Sequence, residues 1–180
     1  MLDFKGYAKL VDFGNAKRMI QDKTYTFCSM EYVAPEIVLG RGHNKSLDYW
    51  SLGVFISELL LGDSIFRGSN ALETYQNVLV GGEKIKLPSK LTKDSQSIIR
   101  SLCKLHPAKR LGCQQDGINA IKNHRWFNNF DWVSLEDGTL KAPLIRPING
   151  PTDLTNFYQI QDANIIDDAT EDLSNWDIDF

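Results

Sequence analysis

The longest apolar stretch of the chain runs from Ser46 to Leu61 and is hydrophobic on nearly every side. Its 16 residues are too many for a typical strand and fewer than the roughly 20 that a membrane span needs. A helix that is apolar all round is normally buried. The pattern therefore predicts a core helix that ends at Gly62, because glycine readily adopts the left-handed conformation that closes many helices.

Three shorter segments also have helical patterns. Residues 72–80 are followed by two glycines. Residues 92–105 place their apolar side chains on one face, and the Thr92 hydroxyl can cap the free N–H groups of the first turn. Residues 117–124 form a third segment, directly before two aromatic residues. These patterns predict a chain that is mostly helical.

The first residues of the chain show a different pattern. Residues 7–11 alternate as a strand does and lead directly into Asp12. Residues 15–33 have no sustained period and predict a long loop, which is usually functional or disordered. The predicted fold class is mostly α, with one short β-hairpin at the start.

Charge divides the chain into two parts. Residues 1–130 carry 18 Lys+Arg and 12 Asp+Glu, whereas residues 131–180 carry 2 Lys+Arg and 11 Asp+Glu. A mildly basic body is thus followed by an acidic tail. The tail is either a solvated, largely disordered end or a tether whose aromatic residues dock elsewhere. We expect no nucleic-acid partner and no membrane span.

The cysteines bear on the cellular compartment. Cys28, Cys103 and Cys113 are odd in number and lack metal-ligand spacing. This pattern favours reduced thiols and a cytoplasmic location.

Two tripeptides point to a specific chemistry. Asp-Phe-Gly occupies residues 12–14, and Ala-Pro-Glu follows 22 positions later at residues 34–36. Asp-Phe-Gly alone could be an ordinary turn. Together, in this order and spacing, the two motifs bound the activation segment of protein kinases. The carboxylate of Asp12 supplies the hard oxygen ligands that Mg²⁺ prefers.

On these motifs the chain resembles the C-terminal lobe and tail of an AGC-group Ser/Thr protein kinase. Residues 6–14, 31–36, 48–53 and 110–112 are similar to successive landmarks of that lobe, and residues 151–157 are similar to the AGC tail. The final residues 174–180 are closest to the cGMP-dependent protein kinases. The resemblance implies an incomplete kinase C-lobe of an α+β parent fold at 1–128. An extended, acidic and partly disordered tail is implied at 129–180.

The resemblance also implies roles for individual residues. Asp12 would bind Mg²⁺ on ATP, and Phe157 would close over the adenine. Thr26 would be the activation-segment phosphosite, with Lys17 as a partner of its phosphate. Glu58 would contact a basic substrate residue. Four further positions would be structural: Gly14, Glu36, Asp48 and Arg110, of which Glu36 and Arg110 would form a buried ion pair.

The sequence of the chain departs from the pattern of this kinase family in several places. Asn15 stands where relatives have Phe, and the stretch 28–32 is one residue shorter than the family motif. The 180 residues contain no Gly-rich loop, no ATP-binding Lys and no catalytic-loop Asp, so no catalytic residue is assigned. We expect Mg²⁺ and ATP to act in the complete kinase and not to be bound productively by this chain alone.

Two hypotheses remain open. The chain is a C-terminal fragment of a cGMP-dependent-type kinase that phosphorylates basic Ser/Thr protein substrates. Its partners would then include a missing N-lobe and upstream cyclic-nucleotide domains. Alternatively, it is a non-catalytic, pseudokinase-like interaction module. Either way, we expect the isolated chain to be inactive.

Overall fold

A computed structural model describes residues 1–19, 32–150 and 152–157 of the chain. It divides into two units. The larger unit is Asp12–Leu140, and the smaller unit combines Met1–Val11 with Lys141–Phe180.

The larger unit consists of helices joined by short loops. Two 3₁₀ turns, at Pro107–Lys109 and Arg125–Phe127, lie between the later helices. The α-helices in chain order are α1 (Pro35–Val38), α2 (Ser46–Leu61), α3 (Ala71–Val80), α4 (Lys93–Leu102), α5 (Gly117–Lys122) and α6 (Trp132–Glu136).

Helix α2 is the central element, and its predicted bounds are confirmed. Gly62 closes it with a φ of 81°, and its N–H donates to the Glu58 carbonyl. Trp50 and Val54 are buried, but Leu59 is 69% exposed. The prediction of a buried helix therefore holds for one face only, because the opposite apolar face has no covering element in the described part of the chain.

The core lies between α2 and α4. Gly53 of α2 lets the two helices approach closely, since an added Cβ would lie 2.5 Å from Cys103 Sγ. Ile98, Ile99 and Leu102 of α4 are completely buried in the same core. The helical spacing of the apolar residues in 92–105 therefore corresponds to a buried face of α4.

The boundaries of α4 show what the sequence pattern missed. Thr92 caps the helix as predicted, because its Oγ1 accepts from the Ser95 N–H at 3.1 Å. The helix ends at Leu102, three residues earlier than predicted. The chain leaves the helix at Cys103, whose φ and ψ are −91° and 39°. The carbonyls of Cys103 and Lys104 accept from the Gly82 N–H and from Arg110 Nε instead of from a further helical turn.

The other two shorter helices differ by one or two residues from the prediction. Helix α3 begins at Ala71, where the Asn70 side chain accepts from the Glu73 N–H. Helix α5 ends at Lys122 rather than at residue 124. The reason is that His124 is extended and caps the following 3₁₀ turn instead.

The smaller unit contains the predicted hairpin in a minimal form. Leu2 and Ala8 form a single antiparallel bridge. Asp3 Oδ1 accepts from the N–H groups of Lys5 and Tyr7, at 2.9 and 2.8 Å. The Tyr7 N–H is the main cause that lowers the pKa of Asp3. Gly6 turns the chain with a φ of 84°.

Across the described ranges there is no strand longer than an isolated bridge, and the mostly helical fold class is confirmed. None of the helices in these ranges combines the length and apolar character needed to cross a membrane.

Candidate functional site

The Asp-Phe-Gly motif forms an exposed turn at the start of the larger unit. Asp12 has a φ of 63°, a left-handed conformation that is uncommon outside glycine. Its Oδ1 accepts from the Gly14 N–H at 3.2 Å, which fixes the carboxylate against the turn. An added Cβ on Gly14 would come within 3.2 Å of the same oxygen. The small residue at 14 thus leaves space for the carboxylate.

This geometry suits Asp12 as one ligand of a divalent cation. The side chain is exposed, and its second oxygen is available to a hard ion. Within the described ranges no three His, Cys, Asp or Glu side chains converge to hold a metal. Asp12 therefore offers a single carboxylate ligand, and the other ligands of Mg²⁺ would be phosphate oxygens, water or groups outside these ranges.

The structure brings Glu36 and Arg110 together in the interior. Arg110 Nη1 donates to Glu36 Oε1 at 2.7 Å, and Nη2 donates to Oε2 at 2.6 Å. The side chains are 5% and 0% exposed. This bidentate geometry satisfies both carboxylate oxygens, which a buried charge requires.

Arg110 also ties two other segments, α2 and the stretch that follows α4, to α1. Its Nε donates to the Lys104 carbonyl at 2.9 Å, and Nη1 donates to the Ser46 carbonyl at 3.0 Å. The guanidinium lies 5.1 Å from the centre of the Trp50 ring, within the range of a cation–π contact. One side chain thereby fixes the Ala-Pro-Glu segment against the start of α2 and the end of α4.

The two acidic positions predicted on α2 lie at opposite ends of the helix. Asp48 is exposed in the first turn. Glu58, in the last turn, accepts a hydrogen bond from the Tyr32 hydroxyl. Ten residues separate them, which corresponds to about 15 Å along the helix axis. The two carboxylates therefore belong to different local environments.

Tyr32 is the functional candidate that sequence reasoning missed. It is half-buried, and its carbonyl accepts from Ser51 Oγ at 3.4 Å while its ring hydroxyl contacts Glu58. Tyr32 and Glu58 are 26 positions apart, so no spacing rule connects them. The only sequence signal is that Tyr32 lies just before the Ala-Pro-Glu motif.

The predicted phosphosite falls outside the described residues. Thr26 and Cys28 both belong to the segment 20–31, which the described ranges omit. Lys17, the predicted partner of a phosphate on Thr26, is exposed in the loop that follows the Asp-Phe-Gly turn.

Phe157 lies in the smaller unit. Its N–H donates to the Leu154 carbonyl at 2.9 Å, and its side chain is 53% exposed. The preceding turn is fixed by Asp153, which accepts from the N–H groups of Asn149 and Thr155. These two hydrogen bonds, that from Asn149 first, lower the pKa of Asp153. The aromatic ring is thus presented at the surface of an ordered turn.

The protein kinase domain family matches residues 1–127. The chain belongs to the protein kinase family. This kinase chain is 44% identical over its whole length to cGMP-dependent protein kinase 2 of Homo sapiens. It is also 44% identical over its whole length to cGMP-dependent protein kinase, isozyme 1, of Drosophila melanogaster. Over 96% of its length it is 42% identical to cGMP-dependent protein kinase egl-4 of Caenorhabditis elegans.

The similarity extends beyond the kinase domain into the tail, which supports the resemblance to AGC-type, cGMP-dependent kinases. The kinase chain spans about a quarter of the length of these relatives, at 24%, 23% and 22% of each in the same order.

Proposed function

We propose that this kinase chain is the C-terminal part of a cGMP-dependent-type Ser/Thr protein kinase. The observation that carries the proposal is the identity of 44% over the whole chain, tail included. The buried Glu36–Arg110 pair supports it, because an intact brace for the activation segment is of use to a phosphoryl-transfer enzyme.

In the complete protein, Asp12 would bind Mg²⁺ on ATP. The metal–nucleotide complex supplies the transferable γ-phosphoryl group and neutralises part of its charge. The turn that fixes Oδ1 on the Gly14 N–H orients the carboxylate before the nucleotide arrives. Phe157 would close over the adenine with its exposed ring.

Substrate binding would involve Glu58. Its carboxylate would attract a basic residue of the Ser/Thr substrate, and the hydrogen bond from Tyr32 would hold the carboxylate in position. Phosphorylation of Thr26 would add about −1.5 to −2 charge, which Lys17 could partly neutralise.

The proposal is tested by a chimera in which this chain replaces the corresponding C-terminal quarter of human cGMP-dependent protein kinase 2. We expect cGMP-stimulated transfer of phosphate to an Arg-rich Ser peptide. The matched control is the same chimera with Asp12→Ala, which should lose the activity. A folded chimera that binds cGMP but transfers no phosphate would contradict the proposal.

We further propose that the isolated chain is inactive. Phosphoryl transfer depends on several groups acting together, and the 180 residues supply only one metal carboxylate of that set. Incubation of the isolated chain with Mg²⁺, ATP and the same peptide should give no transfer above the Asp12→Ala variant. Transfer that Asp12→Ala abolishes would show that this proposal is wrong.

A second candidate function is a non-catalytic interaction module. Helix α3 favours it by exposing apolar side chains, with Leu72 68% and Val80 43% exposed. A Leu72→Asp variant should then lose a partner that the parent chain retains in a pull-down. An active chimera together with no specific partner of the isolated chain would exclude this module.

The remaining expectations belong to the same proposal. Cys103 and Cys113 are free, which supports a cytoplasmic location. The division into a partial kinase domain at 1–128 and an AGC tail at 129–180 stays a prediction. So do the basic protein substrates and the cyclic-nucleotide domains of the complete protein.

A further inference from the structure

The larger unit contains a cavity of about 700 Å³. None of the residues that line it belongs to the Asp-Phe-Gly motif. It lies among α1, the loop that precedes α2, the end of α3 and the segment 105–108. Leu39, Leu79, Leu105 and Pro107 give it apolar walls. This volume is within the roughly 300–1,000 Å³ that is typical of sites for small organic molecules.

The charged side chains that line the cavity favour an anionic ligand. Arg41 and Lys45 line the cavity with exposed side chains, and within the described ranges neither forms an ion pair. Glu36 is the only acidic residue of the lining, and both of its oxygens are bound by Arg110. Because Arg110 neutralises the Glu36 carboxylate, the positive charges of Arg41 and Lys45 are not compensated by an acidic residue of the lining.

Two residues of the cavity lining, His43 and Ser46, also carry a buried polar atom without a partner in the described part of the chain. Ser46 is only 4% exposed, and its Oγ has no hydrogen-bond partner among the described residues. The Nδ1 atom of His43 is likewise buried and unpartnered in that part of the chain. Buried polar groups without partners are rare in native proteins and frequently mark a bound water or ligand. Both side chains can donate a hydrogen bond to an oxyanion.

We propose that this cavity binds a small anionic amphiphile, a molecule with one carboxylate and an apolar body. The carboxylate lies near Arg41, Lys45 and Ser46, and the body packs against Leu39, Leu79 and Leu105. An apolar pocket with few convergent polar groups is the usual form of a small-molecule site.

Cys113 provides a reporter inside the cavity. It lines the wall, is partly exposed, and is a free thiol. Burial raises the pKa of its thiol, and the nearby cations Arg110 and Lys45 oppose that effect. Because Cys113 lines the cavity, a molecule bound there will shield the thiol and slow its alkylation. Peptide mapping by mass spectrometry separates this labelling from that of the other two cysteines.

The test measures alkylation of Cys113 in the full chain by iodoacetamide, in the presence of three linear probes that each contain eight carbons and differ in the charge of the head group. Octanoate should slow the reaction in a saturable way. 1-Octanol and octylammonium should each require at least tenfold higher concentration for the same protection. Equal protection by octanoate and 1-octanol, or no protection by octanoate, would overturn the proposal.

Two double variants test whether octanoate binds at Arg41 and Lys45. Arg41→Gln with Lys45→Gln should raise the half-protecting concentration of octanoate at least tenfold. Lys84→Gln with Lys86→Gln, which removes two exposed charges elsewhere on the same unit, should leave it unchanged. Circular dichroism and the labelling of buried Cys103 verify that each variant is folded. A folded Arg41/Lys45 variant with unchanged protection, or an equal loss in the control, would refute the assigned site.

Discussion

Glu36 and Arg110 are 74 positions apart in the chain and meet as a bidentate, fully buried ion pair. The pair joins α1, which carries the Ala-Pro-Glu motif, to the segment that follows α4. Because Arg110 also binds the Ser46 carbonyl and stacks on Trp50, a single residue determines how the activation-segment end rests on the core.

Arg110→Gln should strongly destabilise the larger unit. The change leaves the Glu36 carboxylate buried without a cation, which typically costs about 3–5 kcal/mol. Urea denaturation of the full chain measures the loss. Arg125→Gln is the matched control, since the Arg125–Asp94 pair is exposed and should cost no more than about 1 kcal/mol.

The double variant Glu36→Gln/Arg110→Gln extends this test. It removes both charges, so its loss should be smaller than the sum of the two single losses. Strictly additive losses would show that the two side chains do not stabilise each other.

Gly53→Ala should destabilise the packing of α2 on α4. The added Cβ would lie 2.5 Å from Cys103 Sγ and 2.9 Å from Leu102 Cβ. Overpacking of this kind costs about 1–3 kcal/mol, of which the better helix propensity of alanine returns up to about 1 kcal/mol. Cys103→Ala in the same chain removes the nearest atom and should recover part of the loss. A Gly53→Ala chain as stable as the parent would contradict the close approach of the helices.

Tyr32→Phe should destabilise the chain slightly, because it removes the hydroxyl that donates to Glu58. The expected loss is about 0.5–1.5 kcal/mol in thermal or urea denaturation. Glu58→Ala should cost a similar amount, and adding Tyr32→Phe to it should cost little more. If the two losses add in full, the hydrogen bond does not contribute to stability.

His124 should make stability depend on pH. Its Nδ1 accepts from the Trp126 N–H at 3.2 Å, and its Nε2 lies 3.1 Å from Ser97 Oγ. Burial lowers the pKa of His124, as does Arg125, whereas Asp94 opposes the shift. A protonated imidazole cannot accept at Nδ1, so protonation removes the cap of the 3₁₀ turn.

A lowered pKa in the folded state means that the unfolded chain takes up the proton first. The stabilisation by His124 is therefore complete above about pH 6.5 and is lost as pH falls through the lower pKa of the folded state. Urea denaturation at pH 7.5 and 5.5 should show this loss in the parent chain. His124→Asn keeps a cap that does not titrate, so its pH dependence should be weaker. Equal dependence in both chains would exclude His124 as the cause.

The sequence predicted elements well where the signal is local. The bounds of α2 and the capping role of Thr92 were predictable because periodicity, glycine and hydroxyl caps act within a few residues. The ends of α4 and α5 were not, since they depend on how the chain turns into the following 3₁₀ segments.

By itself, the sequence determined the family, the mostly helical class and the residue types that carry the chemistry. The family and the residue types can be read from the Asp-Phe-Gly and Ala-Pro-Glu motifs, and the helical class from local hydrophobic periodicity, because these signals lie in residues that are close in sequence. Only the tertiary structure decided that Tyr32 meets Glu58, that Arg110 binds three segments, and that Arg41 and Lys45 face one cavity. The contacts of Tyr32 and Arg110 join residues distant in the chain and arise from core packing, which leaves no periodic trace in the sequence.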